Sequence, residues 1–149
     1  MDDELAARRH WFETYINRID QGVIQPAQPD VWYACPCCGY PTLGARGDYE
    51  ICSLCKWEDD GQDDPHADEV WGGPNGRYSL AEARRNFAQY QVMYDPTDPR
   101  FRDQQRPAKM AAKLELMELF RQIRDETDQT QAAVPRERVI ALERRLLVL

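Results

Sequence analysis

A chain of 149 residues is long enough for one domain with its own core, or for a small metal module wrapped by helices. No apolar run approaches the ~20 residues that span a bilayer, which excludes a membrane helix. The formal charge is −7, from 26 acidic and 19 basic residues.

That charge is unevenly placed. Between Glu58 and Glu69 stand seven acids (Glu58, Asp59, Asp60, Asp63, Asp64, Asp68 and Glu69) and no lysine or arginine. The remaining 19 acids match the 19 basic residues, so the whole formal excess lies in one segment. A field of that sign repels phosphate backbones and attracts basic protein surfaces.

Residues 2–20 carry Phe12, Tyr15, Ile16 and Ile19 at helical spacing, and Asp2, Asp3 and Glu4 suit the positive end of a helix. Gly22 is the expected stop, and Gln25-Pro26-Ala27-Gln28-Pro29 a linker into Val31-Trp32-Tyr33. The acidic start lacks the order of a secretory leader, so the expected location is the reducing cytoplasm.

Cysteines follow as Cys35-Pro36-Cys37-Cys38-Gly39 and Cys52-Ser53-Leu54-Cys55. This is C-x2-C, 13 residues, then C-x2-C, the spacing of a four-thiolate zinc ribbon. Cys35, Cys38, Cys52 and Cys55 are the expected ligands of one structural Zn2+. A redox dithiol and an iron site are the competing uses of the same thiols. Cys37 is a buried filler, a reactive thiol, or a ligand in place of Cys38. Tyr40–Leu43 and Tyr49–Ile51 read as two short strands joined at residues 44–48, with Lys56-Trp57-Glu58 as a third.

Residues 59–78 are rich in glycine and proline and read as an ordered loop, with Trp71 as an anchor. A calcium loop is excluded: with Gly61 at its sixth position, the first and twelfth ligands would be Lys56 and Ala67. Ser79-Leu80-Ala81-Glu82 is a capping box, and Leu80, Ala83, Phe87, Tyr90 and Tyr94 mark one apolar stripe. Asp95–Pro99 is a linker or a junction to a second lobe. Helical spacing returns from Pro107 to about Glu126 (Leu116, Leu119, Phe120, Ile123). After polar residues 127–131, a last helix from Pro135 aligns Val139, Leu142, Leu146 and Leu149. These last two stripes suit mutual packing, and the apolar end also suits dimerisation.

The resulting expectation is an α+β fold, a small zinc ribbon of two or three antiparallel strands surrounded by about four helices. Its segments are 1–30 (helix and linker), 31–95 (ribbon, acidic loop and capped helix) and 96–149 (helical). His66 beside Cys37 is too little for a thiol hydrolase, and a closed four-thiolate site leaves no position for substrate. The chain reads as a non-enzyme.

Cys35 to Leu43, then Arg46 to Cys52, then Cys55 to Gly61, with Asn75-Gly76 and Ser79 to Arg84, resemble the bacterial cysteine-rich CPCC family over residues 32–90. The resemblance brings no catalytic residues. It implies an association with immunity proteins that neutralise bacterial toxins. The residues themselves point to a protein partner with a basic surface, met by Trp57, Glu58, Asp59, Asp60, Asp63, Asp64, Asp68, Glu69 and Trp71. A toxin domain is one such partner. The alternative is a nucleic-acid-binding or regulatory zinc ribbon, disfavoured because residues 31–78 offer only Arg46, Lys56 and Arg77 to phosphates.

Overall fold

Asp2 starts helix α1 (Asp3–Asp20) by accepting the Leu5 N–H at 2.7 Å, one of the donors a helix leaves unpaired at its first turn. The computed structural model describes residues 2–20, 33–130 and 136–149, and within them the side chains of all but 16–20, 126–130 and 136–137. Ile16, Ile19, Gly22, the proline-bearing linker and Trp32 therefore lie outside the described parts. Leu5 and Phe12 form the buried face of α1, joined by Arg9.

No strand occurs among the described residues, and this corrects the expected zinc ribbon and its α+β class. Only two isolated antiparallel bridges are present, Tyr33 with Leu43 and Ile51 with Glu58. The hydrogen bonds explain why. A hairpin would pair residues 40–43 with 49–51, but each segment bonds back to the flank of its own cysteine turn. Tyr33 and Leu43 exchange bonds of 2.6 and 3.2 Å, and Cys35 N–H reaches Tyr40 O. On the second side, Tyr49 N–H reaches Asp59 O and Cys52 N–H reaches Trp57 O. Tyr49 and Lys56 also take positive φ, which interrupts any extended run.

The 59–78 loop contains two single-turn 3-10 helices, Asp64–His66 and Gly73–Asn75. Ser79 then caps α2 (Leu80–Tyr90), its hydroxyl accepting the Glu82 N–H at 3.1 Å. Gln91 closes α2 in the left-handed conformation, its N–H on Phe87 O. Residues 95–99 form a folded corner. There, buried Asp98 accepts the Tyr78 hydroxyl at 2.8 Å and pairs with Arg100. A four-residue helix, α3 (Phe101–Gln104), follows the corner; no periodicity is long enough to reveal it. Next comes α4 (Pro107–Thr130), which carries the polar residues 127–130 as helix, and finally α5 (Arg136–Val148), packed on α4.

Four rings tie these parts together. Phe12 of α1, Tyr40 of the first cysteine turn, Phe87 of α2 and Phe120 of α4 meet with centroids 5.7–6.3 Å apart. The same hydrophobic cluster includes all five cysteines and, from α5, Val139, Leu142 and Leu146. No helix among the described residues is long and apolar enough to cross a membrane.

Candidate metal centre

Each C-x2-C segment folds into a tight turn with its sulfurs on one side. In the first, Gly39 N–H bonds Cys35 O at 2.8 Å; in the second, Lys56 N–H bonds Cys52 O at 3.0 Å. The residue after the second cysteine is left-handed in both, Gly39 at φ 79° and Lys56 at φ 71°. Gly39 is required twice over, because a Cβ there would stand 2.9 Å from Leu5 Cδ1 of α1.

The two turns face each other. Cys35, Cys38, Cys52 and Cys55 are completely buried, and their sulfurs all lie within 4.8 Å of one another. Cys35 and Cys55 sulfurs are 3.7 Å apart, and those of Cys38 and Cys52 3.6 Å. Four ligands at about 2.3 Å from one ion, tetrahedrally arranged, have sulfurs about 3.8 Å apart, so the cluster fits a single metal ion. Donors support the sulfurs: Thr42 Oγ1 lies 3.0 Å from Cys52 Sγ, with Cys55 N–H on Cys52 Sγ and Trp57 N–H on Cys55 Sγ, both at 3.4 Å.

Burial opposes ionisation of these thiols and pushes Cys35 and Cys55 well up. At Cys52 it is outweighed by hydrogen bonds from Cys35, Cys38, Cys55 and Thr42, which hold that thiol well below its ordinary value. A dication entering the cluster displaces the thiol protons. Cys37 is buried outside the set of four, which leaves Cys38 with Cys35 in the cluster.

The proposed contact residues do not share one surface. Trp57 is fully buried, so it cannot touch a partner. Asp59 is also fully buried and accepts hydrogen bonds from Arg46 Nε at 2.9 Å and Gly47 N at 2.7 Å. Asp63 is held by Arg9 at 2.6 Å and by Arg46 at 2.9 Å, and Asp64 by Arg9 and Arg84 at 2.9 and 2.6 Å. Burial works against the Asp63 charge, but the bonds from Arg46 and Arg9 prevail and bring its pKa down to about 2. Asp60 and Glu58 are half-buried, bracketing Asn75, which donates to Glu58 O at 2.8 Å.

Asp64, Asp68, Glu69 and Trp71 are exposed, Asp64 already held by its two arginines, and Val70 lies exposed between Glu69 and Trp71. Glu69 accepts from Trp71 Nε1 at 3.3 Å, and its carboxylate lies 2.8 Å from His66 Nδ1. Trp71 is 46 % exposed, its ring 5.8 Å from that of His66. Sequence reading missed Arg9, Arg46 and Arg84 because they approach the acids from separate elements. It also missed Lys109 and Lys113, although a signal existed: they extend the apolar stripe of α4 backwards from Leu116 at i−7 and i−3.

A helical shell closed around a buried four-cysteine cluster of metal-binding geometry defines the class. The family model described as cysteine-rich CPCC matches residues 33–109, just over half of the chain, and the chain belongs to that family. The match runs from the first knuckle through α3 into the first turn of α4. No curated protein and no solved structure is significantly similar to the chain.

Proposed function

We propose that Cys35, Cys38, Cys52 and Cys55 hold one Zn2+ whose work is structural, in a non-catalytic, cytoplasmic protein that acts by binding another protein. The observation that carries the metal reading is the complete burial of four mutually close sulfurs at a tetrahedral edge length. Four thiolates complete the coordination of zinc and leave no place for substrate or water. Iron fits the same donors, and metal analysis of the purified protein separates the two.

The contact surface is the exposed acidic rim Asp68-Glu69-Val70-Trp71. An exposed aromatic beside exposed carboxylates with no lysine or arginine paired to them suits a basic protein surface and disfavours nucleic acid. A toxin domain neutralised by this chain is the particular case that the family resemblance suggests. In the test, protein captured by the tagged chain is purified and its association rate is measured against salt. Association should slow with salt, and in the triple variant Asp68→Asn, Glu69→Gln, Trp71→Ala it should fall at least about tenfold. An unchanged rate in that variant contradicts the surface. For the toxin case, co-expression of the chain should rescue cells from the captured partner.

A further inference from the structure

A lysine stands where the apolar stripe of α4 calls for a hydrophobic residue. Lys113 is 0 % exposed, between Ala112 and Leu116 on the buried face of the helix. Its Nζ donates to Gln91 O at 3.0 Å, an unpaired carbonyl at the end of α2. Two residues on, Met93 N–H bonds Cys55 O at 2.8 Å, so this end of α2 is laced to the second knuckle. No carboxylate among the described residues pairs with Lys113. Its neighbour Lys109 differs, being answered by Asp103.

A buried ammonium with a single neutral acceptor is costly, and a counter-charge is the usual remedy. Among the strongest influences on Lys113, Cys55 and Cys52 are the negative groups, while Lys56 and Lys109 repel it. Burial comes first and repulsion from Lys56 next, and together they outweigh the two cysteines and bring the ammonium down to about 8. Four thiolates around a dication carry a net charge of about −2, so loading the cluster supplies what Lys113 lacks.

We propose that Lys113 is the buried counter-cation of the metal–thiolate centre, so that metal binding and the seating of α4 against the second knuckle favour each other. This rests on the metal reading given above. Lys113 lies just beyond the family-matching residues, so the C-terminal helices contribute to a metal site whose ligands all belong to the matched segment. It is a positioning residue and touches no substrate.

The test compares the full-length wild type with Lys113→Met and Lys113→Gln. Affinities for Co2+ and Zn2+ are measured by chelator competition, and thermal unfolding is followed with and without metal. Both variants should bind metal about tenfold or more weakly. Stripped of metal, Lys113→Met should unfold at the wild-type temperature or above it, because an unpaired buried charge has gone. The sulfur-to-cobalt charge-transfer band should move to lower energy in both variants. Lys113→Gln keeps an N–H donor for the Gln91 carbonyl without charge. Wild-type metal affinity in that variant would make Lys113 only a cap for α2 and overturn the proposal. Equal loss of stability with and without metal in Lys113→Met would overturn it too. A wild-type chain that binds neither ion fails the metal reading itself, an outcome distinct from wild-type binding that Lys113 does not influence.

Discussion

Gly39 and Lys56 hold equivalent places in the two knuckles, yet only one has the residue that a positive φ favours. Gly39→Ala should destabilise the protein by about 2 kcal/mol, because left-handed backbone costs ~1–2 kcal/mol and the new Cβ meets Leu5. Urea unfolding reads this, and an unchanged midpoint would mean that α1 yields freely. Cys37→Ser should retain its metal, whereas serine at Cys35, Cys38, Cys52 or Cys55 should lose it; metal analysis of the variants decides. The four clustered cysteines were legible because a knuckle is local, fixed by spacing and a turn. The fate of Asp63 was not, because Arg9 is 54 residues away along the chain and approaches from another helix. Counting charge by segment therefore treated as free a carboxylate that the fold neutralises.

Among the elements, α1 is fastened to the acidic segment through Arg9, and α4 to Tyr40 beside the first knuckle through Phe120 and to the end of α2 through Lys113. Asp63→Asn should cost on the order of 1 kcal/mol at neutral pH, allowing for its partial exposure. The sign follows from a folded pKa near 2, below the ordinary 3.8. This stability is fully present above about pH 4 and fades as pH falls towards 2, so the wild-type and variant curves should converge there. A gap constant with pH would remove the ion pairs from the account. Phe120→Ala should cost about 3–5 kcal/mol by opening a cavity among Phe12, Tyr40 and Phe120. The long helices were readable because their apolar spacing repeats over several turns. The hairpin was misread because two three- or four-residue apolar runs beside a glycine-rich link look the same whether they pair or turn back. Here the cysteine turns claim their backbone bonds first.

At the scale of the whole molecule, the cysteine cluster sits inside the helical core and not on an appendage. Tyr40 and Trp57, each within two residues of a cysteine of the cluster, are buried in the same hydrophobic cluster as Phe87, Phe120 and Leu142. Loss of the ion would leave four thiols in its place and remove the bond between two turns that have no sheet to hold them. The central claim is that the metal is a structural support of the fold. It is tested most directly by thermal unfolding of the wild-type protein before and after complete metal removal, with metal content measured on the same samples. One zinc per chain should be present at the start, and its loss should lower the midpoint by at least about 10 °C, with re-addition restoring it. A midpoint that stays the same after the metal has gone would contradict the account.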